Sequence, residues 1–469
     1  MLVGFALPTY QSTPSLLSLN YDVLQEIISY LHAKDALNLA LCCKALHELA
    51  SPRISAIAHI WRPSHFRKVC AHMLGPRLPV KHLRELDIHY TAFADEGEED
   101  ESEEDEDEDE DEEGEGEGVD SENEEPDPLD VFWDFSQAHL VRDLLLQATA
   151  LRRLALDRVH PLLEKEPRIG EALCAMTRLV SLDLCTVSEP TIPLISNLNR
   201  NLRRLQVAYH GFDDIMEDQP NSMPLCLSLL APFQQLQTLI LQHFDPLPEV
   251  VANPPQFPAL RTLRLQYVTS AALPFVDLCP NISKFDLYMD ADKPHSHRFR
   301  MPEDGRKWGS LTHLGLAALR DVHPIQNRLK IIDRVQIAGR PLQQPERPIT
   351  SYDHAKIATF FDLLCVTSPV SLALSVAVGW TPVTFWEEVP TLAPRLRILS
   401  VRIELMSLSE QNESWLDTVP DALRALPLLY LHIDLPKTKS VRKLFPPALN
   451  PETSAEEIRQ QYAAAARIE

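Results

Sequence analysis

The chain has 469 residues, 45% of them hydrophobic, which is enough for several domains or for one long array of repeats. Its formal net charge is −24, and no segment approaches the roughly 18 consecutive apolar residues of a membrane helix. The first residues, MLVGFALP, lack the basic start of a secretory leader. We therefore expect a globular protein of the cytoplasm, the nucleus or both.

After a short tail at residues 1–18, the sequence predicts a helical region at residues 19–62. Asn20 is placed to cap the first helix, and Asp22 puts a negative charge in its opening turn. The following apolar residues recur at helical spacing and predict one apolar stripe. The stripe consists of Leu24, Ile27, Ile28 and Leu31.

Two further helices are predicted in the same region. Asp35 is placed to cap a second helix over Ala36–Cys42, which is apolar on nearly all sides. A third helix is expected over Lys44–Ala50 and should end at the Ser51-Pro52 pair. Helical spacing of apolar residues continues over Arg53–Trp61 and predicts an extension of the helical module.

A unit of roughly 40 residues buries its apolar surface poorly on its own, so it needs the rest of the chain or a partner. Its pattern resembles the F-box, a family that docks a small adaptor subunit. The matching residues are Leu19, Val23-Leu24, Ile27-Ile28, Leu31, Asp35, Leu37, Lys44, Leu46 and Leu49-Ala50. Asn20 stands where the family usually has proline, which presets the first helical turn. The alternative is an ordinary three-helix packing unit.

The resemblance implies a Skp-type adaptor and a cullin scaffold as partners. It also implies the adaptor-binding residues, which are Leu19, Asn20, Val23, Leu24, Ile27, Ile28, Leu31 and Leu37.

Residues 63–94 are predicted to hold a linker and a first strand over Leu83–Ile88, and residues 95–128 a disordered acidic insertion. Between residues 95 and 125 the chain has 23 Asp and Glu and neither Lys nor Arg. The rest of the chain therefore carries 45 acidic against 44 basic residues and is nearly neutral. Such a run repels itself and cannot bury apolar surface, so it should not fold.

Three interpretations of the acidic tract stay open. It is a solvated loop that aids solubility, or it attracts basic partners such as histones or ribosomal proteins. Calcium binding is the least favoured, because the tract lacks the spacing and the glycine hinge of an EF-hand.

From residue 129 to residue 450 the chain repeats itself. The core pattern LxxLxL, with Ile, Val and Phe allowed, first appears at Leu151-Leu154-Leu156, and the first eight copies start 21 to 34 residues apart. The other copies start at Leu179, Leu202, Leu236, Leu260, Ile282, Leu311, Ile332, Leu396 and Leu428. Leu372–Val376 predicts one more strand outside the strict pattern.

The repeats resemble an irregular leucine-rich repeat, in which each unit gives one short parallel strand and a return segment. Alternate strand residues point to opposite faces, so Leu154 and Leu156 should lie in the core. Return helices are expected over Ser136–Thr149 and Asp353–Cys365. The Asn or Cys usual in the family's turns is replaced by apolar residues, at Val159, Val187, Phe244, Val268 and Leu319. The alternative is a non-solenoid α/β domain.

Residues 451–469 should form a C-terminal helix, capped by Ser454. The fold class is thus predicted as α/β: a three-helix F-box, then an irregular leucine-rich-repeat solenoid of short parallel strands with helical or loop returns.

The motifs of common enzymes are missing from the sequence. It has no glycine-rich phosphate loop, no H-E-x-x-H, G-x-S-x-G or kinase-like set, and no C-x-x-C. His295 and His297 lack further ligands at metal spacing, so no metal and no cofactor is expected. The nearly neutral remainder shows no basic stripe, which argues against direct nucleic-acid binding. The eight cysteines are expected as reduced thiols, and we expect no catalytic activity of the chain itself.

The resemblance therefore implies a substrate-recognition subunit of a Skp–cullin–F-box E3 ubiquitin ligase. The alternatives are a leucine-rich-repeat scaffold outside ubiquitin transfer and an acidic chaperone for basic proteins. The unknown protein substrate is expected on the outward residues of successive strands, which are rich in Arg, Gln and Tyr. These residues are Arg204, Gln206, Thr238, Gln242, Arg264, Gln266, Lys284 and Tyr288.

Overall fold

The structure is a computed structural model of the chain. It describes residues 16, 19–76, 79–94, 133–209, 223–247, 254–289, 307–337, 351–377, 383–404, 421 and 423–434. The chain divides into two compact units, Met1–Ile215 and Met216–Glu469.

Unit 1 begins with three helices, α1 over Tyr21–Tyr30, α2 over Ala33–Ala40 and α3 over Lys44–Ile54. The Asn20 side chain caps α1 as predicted, because it accepts a hydrogen bond from the backbone N–H of Asp22.

The bounds of the second and third helices differ from the prediction. α2 starts after His32, so Asp35 lies inside its first turn instead of capping it. α3 runs through Pro52 for about half a turn more, and Arg53 near its end donates a hydrogen bond of 2.7 Å to the carbonyl of Leu31. This hydrogen bond between α3 and the end of α1 favours the longer helix.

The prediction of helix over Arg53–Trp61 is wrong beyond the end of α3. Ile57–Ile60 form a strand, β1, that pairs in parallel with Glu85–Ile88, which is β2. Ala58 and Ile60 are buried by this pairing, whereas a helix would have left the backbone of β2 without its neighbour. The helical region therefore ends before residue 62, and a strand follows it directly.

The rest of unit 1 alternates strands and helices. The strands are β3 (Arg153–Leu156), β4 (Ser181–Val187) and β5 (Arg204–Tyr209). The helices are α4 (Pro63–Met73), α5 (Ala138–Gln147), α6 (Val159–Lys165), α7 (Arg168–Ala175) and α8 (Ile192–Asn197). All neighbours from β1 to β5 are parallel and follow chain order. The first residues of the five strands are register neighbours, and they are Ile57, Glu85, Arg153, Ser181 and Arg204.

Unit 2 contains a second set of parallel strands. They are β7 (Thr238–Gln242), β9 (Thr262–Val268), β10 (Lys284–Met289), β11 (His313–Leu316), β12 (Arg334–Ile337), β13 (Ser371–Ala377), β14 (Ile398–Glu404) and β15 (Tyr430–Asp434). Each pairs in parallel with the next. A separate parallel pair is formed by β6 (Met223–Cys226) and β8 (Phe244–Leu247), which the sequence did not indicate. The helices are α9 (Pro274–Asp277), α10 (Ser351–Thr367) and α11 (Val383–Leu392).

Every LxxLxL copy forms a strand, and its apolar residues are buried in all copies except the last, where Leu431 and Ile433 on β15 are 43% and 48% exposed. Leu154 and Leu156 are buried, while Arg153 is exposed and Asp157 half-buried, as the alternation predicts. The predicted return helices are present as α5 and α10, and the predicted strand at residues 372–376 is present as β13. The structure thus has mixed α/β character, with helices at its N-terminus followed by parallel sheet.

Several strands end in the same backbone turn. The residue after the strand's last outward position has a positive φ at Arg158, Thr186, His243 and Tyr267, with values of 54° to 59°. The next residue is a buried apolar one, at Val159, Val187, Phe244 and Val268. These are the positions at which a leucine-rich repeat usually carries Asn or Cys. A left-handed residue followed by an inserted apolar side chain therefore makes the turn here.

Some predicted features lie outside the described residues. They are the acidic tract, the His295 and His297 pair and the C-terminal helix at residues 451–469. Within the part of the chain that the structure describes, no helix is long and apolar enough to cross a membrane. The same part holds no group of three or more His, Cys, Asp or Glu arranged for a metal ion.

Candidate functional site

The three N-terminal helices share a small core. Ile28, Ala36, Ala40 and Ala50 are buried against one another. Alanines at three of these four positions let the backbones approach closely, so little space remains inside for large side chains. Partly buried side chains close the core, and these are Leu31, Leu39, Leu49 and Ile54.

Because the core is so small, many large apolar side chains of these helices stay in contact with solvent. The α1 row consists of Leu19, which directly precedes the cap of the helix, and of Val23, Ile27 and Tyr30, which follow helical spacing along it. The α2 row consists of Leu37 and Leu41, spaced i and i+4. The exposed fractions of these six residues range from 40% to 77%. Apolar rows of this size usually mark a site where another protein binds.

The structure separates the predicted adaptor-binding residues into two groups. Leu19, Val23, Ile27 and Leu37 are exposed. Leu24 and Ile28 are only 4% and 2% exposed, so they pack inside the domain and offer no surface to a partner.

Of the two other predicted residues, Leu31 is partly buried against the core and Asn20 serves as the α1 cap. A substitution of either residue would therefore change partner binding only by shifting α1. Tyr30 and Leu41, which are not among the predicted residues, extend the two rows. Tyr30 lies three residues after Ile27 and Leu41 four residues after Leu37, and this helical spacing could have identified both.

A carboxylate accompanies the α1 row. The hydrogen bond and the charge of Glu26 raise the pKa of the Tyr30 phenol above its usual value. Tyr30 therefore stays neutral over the physiological range and presents a ring with a hydroxyl at its tip, a residue type common at protein interfaces.

Comparison with known proteins bears directly on these helices. Residues 16–54 match the family model of the F-box domain. This range contains α1, α2, α3 and both exposed rows, so the matched F-box domain corresponds to the N-terminal helices of unit 1. No curated protein matches the chain.

The predicted substrate residues are all half-buried on strands, but they do not form one set. Arg204 and Gln206 lie in unit 1 on β5 and hydrogen-bond each other at 3.3 Å. In unit 2, Gln242, Gln266 and Tyr288 are register neighbours on β7, β9 and β10. They form a polar row across three adjacent strands.

The two predicted cations of unit 2 are held by a carboxylate. Asp286 of β10 lies 3.0 Å from the Nη2 of Arg264 and 3.6 Å from the Nζ of Lys284. The Asp286 side chain is only 9% exposed, because its register neighbour on β11 is Gly315 and leaves room for it. Burial and the Asp286 charge raise the pKa of the nearby Tyr288 phenol. Arg264 and Lys284 thus both form ion pairs with Asp286 on the surface of the sheet.

Proposed function

We propose that the chain is the substrate-recognition subunit of a Skp–cullin–F-box ubiquitin ligase. In this proposal the F-box helices bind the adaptor, a strand surface binds the substrate, and a partner enzyme performs the chemistry. The chain itself is then not an enzyme and contributes proximity between substrate and partner enzyme. It would act in the cytoplasm, the nucleus or both.

The observation that carries the proposal is the exposure of the α1 and α2 rows. F-box domains typically bind Skp-type adaptors. Fully burying a Leu, Ile or Val side chain is worth about 1.5–3 kcal/mol, so covering half-exposed ones gains about 1 kcal/mol each. The six side chains of the two rows would together contribute about 6 kcal/mol toward the cost of association.

We also propose that the strands and their returns form an irregular leucine-rich-repeat array. The support is the agreement between each LxxLxL copy and a strand, with parallel pairing inside each unit. In unit 2 we assign the substrate to the polar row of Gln242, Gln266 and Tyr288, because Arg264 and Lys284 are ion-paired with Asp286. A scaffold of the same architecture outside ubiquitin transfer is the alternative, and it would bind no cullin.

A pair of charge-matched double variants tests the adaptor site. Val23→Glu with Ile27→Glu places two carboxylates in the α1 row. Gln25→Glu with Ser29→Glu places two carboxylates on exposed positions of the same helix outside that row. We expect the first variant to lose co-precipitation of a Skp-type adaptor and a cullin, and the second to retain both.

Circular dichroism and a thermal melt of each variant should show that α1 to α3 remain folded. Equal recovery of adaptor and cullin by both variants would contradict the proposed docking surface. A chain that binds the adaptor but never a cullin would favour the scaffold alternative.

A further inference from the structure

Unit 1 has a row of exposed rings where its first strands end. Trp61 follows β1 and stacks on His89, which follows β2, with ring centroids 5.0 Å apart. Tyr90 contacts His89 at 4.1 Å and Trp133 at 5.6 Å. Trp61 and Tyr90 are 54% and 41% exposed, which is high for such large rings. Exposed Trp and Tyr are the residue types that most often dominate binding energy.

Carboxylates lie beside these rings on the outward side of the same strands. Asp87 of β2 and Asp183 of β4 are both register neighbours of Ala155 on β3. The small side chain of Ala155 therefore leaves a gap between two acidic residues. Asp157 follows β3, accepts a hydrogen bond of 3.1 Å from the backbone N–H of Tyr90, and lies 4.0 Å from the Nε2 of His89.

The cations of this surface neutralise its carboxylates only in part. The Nδ1 of His59 lies 3.3 Å from Asp87, and the charge of Arg204 lowers the pKa of Asp183. Burial raises the pKa of Asp183 to about 6, and the charges of Asp157 and Asp87 add to this effect. A positively charged group from another molecule would relieve the mutual repulsion of these carboxylates.

The surface already accommodates one guanidinium. The Cζ of Arg158 lies 4.6 Å from the centre of the Trp133 ring, next to Asp157 in the chain. A guanidinium over an indole face is a favourable contact, and adjacent carboxylates add charge-assisted hydrogen bonds. Trp61 and Tyr90 offer the same kind of ring to a cation that comes from outside.

The acidic tract is attached at the edge of this surface. Ala94 and Trp133, which flank residues 95–132, form an antiparallel bridge, and the Asp134 N–H donates to the Phe93 carbonyl at 2.8 Å. The two residues that flank the stretch with 23 acidic residues, Ala94 and Trp133, therefore lie close to Tyr90. Charge concentrated near a binding face raises the association rate of an oppositely charged partner.

We propose that the ring-and-carboxylate face of unit 1 binds a cationic protein segment that carries Arg or Lys side chains. The face consists of Trp61, Asp87, His89, Tyr90, Asp157 and Asp183. The inference rests on the proposed function only in identifying the owner of this segment as the substrate. Binding of the segment itself does not depend on the adaptor.

Fluorescence anisotropy with the full chain tests the proposal. The probe is a short labelled peptide that alternates Arg and Ser, and its matched control alternates Gln and Ser. We expect saturable binding of the Arg peptide that weakens as salt rises, and no binding of the Gln peptide. Equal binding of both peptides, or no binding of either, would overturn the proposal.

Variants then assign the binding to the face. Trp61→Ala, and separately Asp87→Asn with Asp183→Asn, should each weaken the Arg peptide by about tenfold or more. Trp61→Phe should restore most of the affinity that Trp61→Ala loses. The matched controls are Tyr430→Ala, an exposed ring in unit 2, and Asp333→Asn, an exposed carboxylate in unit 2. Both controls should bind like the unchanged chain, and undiminished binding by the face variants would refute the assignment.

Deleting residues 95–125 separates the face from the acidic tract. We expect slower association but a complex that still depends on Trp61. If the deletion abolishes binding while the face variants retain it, the tract and not the face is the site. The face variants should still co-precipitate the adaptor, and the variant with Val23→Glu and Ile27→Glu should still bind the Arg peptide. Failure of this inference is thereby distinguished from failure of the proposed function.

Discussion

At the scale of single residues, Asp183 shows the cost of placing carboxylates close together. Its pKa lies near 6, mainly because the side chain is buried, while Arg204 and the Cys185 thiol act in the opposite direction. Between about pH 4 and pH 6 the unfolded carboxyl is ionised and the folded one keeps its proton. The folded state then binds more protons, so stability falls as pH rises through this window and is level above it.

Asp183→Asn removes this loss. We expect the variant to exceed the unchanged chain in free energy of unfolding by about 1–3 kcal/mol at pH 7, and by much less at pH 4. Urea unfolding at the two pH values measures the difference. A variant whose advantage does not grow with pH would show that Asp183 titrates normally. Retention of a destabilising carboxylate is expected where the residue serves binding.

Gly315 is a second residue whose identity follows from its neighbour. A Cβ at this position would collide with the Oδ1 of Asp286 and disturb the contacts of Asp286 with Arg264 and Lys284. Gly315→Ala should therefore lower the free energy of unfolding by about 1–3 kcal/mol. Gly309→Ala is the control, since its Cβ would meet only the flexible end of Lys330 at 3.7 Å. Equal effects of the two changes in chemical denaturation would refute this explanation of the buried Asp286.

At the scale of elements, α1 separates stability from recognition in adjacent residues. Leu24 is buried and Val23 is exposed. Leu24→Ala should cost about 2–5 kcal/mol of stability, because it opens a cavity in a small core. Val23→Ala should change stability by no more than about 0.5 kcal/mol and should weaken adaptor binding instead. Thermal melts and adaptor titrations of both variants measure the two effects. Equal losses of stability for Leu24→Ala and Val23→Ala would show that α1 does not bury Leu24 and expose Val23.

The sequence predicted the apolar stripe of α1 but not which half of it is covered. Leu24, Ile28 and the exposed residues Val23 and Ile27 all belong to one broad apolar arc, and periodicity alone does not distinguish its halves. The missing information is the position of α3, whose Ala50 approaches Ile28. Tertiary packing therefore decides which residues remain for a partner.

Strands were predicted well where their pattern repeats and poorly where it does not. Every LxxLxL copy forms a strand because its spacing provides two positions on one face of the sheet with one position on the opposite face between them. β1 was missed because Ile54, Ile57, Ala58 and Trp61 also fit helical spacing. Its strand conformation depends on pairing with β2, a contact across 28 residues that no local pattern reveals.

The ring-and-carboxylate face was likewise beyond local patterns. Trp61, His89 and Trp133 are far apart in the chain, and parallel stacking of the strands brings them together. By contrast, the attachment of the acidic tract inside one loop was predicted from the strand-like sequence before it and the apolar sequence after it. The structure describes the two residues that flank the tract, Ala94 and Trp133, and they form a bridge, while the predicted loop between them stays a prediction.

At the scale of the whole molecule, the acidic tract should be dispensable for stability. The bridge between Ala94 and Trp133 already joins the residues that flank the tract, and the entropy of closing a chain segment changes by only about 0.6 kcal/mol per doubling of its length. Deletion of residues 95–125 should leave the melting temperature unchanged or slightly raised, most visibly at low salt where self-repulsion is strongest. Scanning calorimetry measures it, and a melting temperature several degrees lower would show that the tract packs on the folded part.

We propose that the chain binds an adaptor through the apolar rows of its F-box helices. Isothermal titration of the chain with a purified Skp-type adaptor, repeated at several temperatures, tests it most directly. Burial of the α1 and α2 rows predicts binding with a negative heat-capacity change. That signal should be absent for Val23→Glu with Ile27→Glu and preserved for Gln25→Glu with Ser29→Glu. Absence of binding by the unchanged chain, or equal heat-capacity changes for the two double variants, would contradict adaptor binding through the α1 and α2 rows.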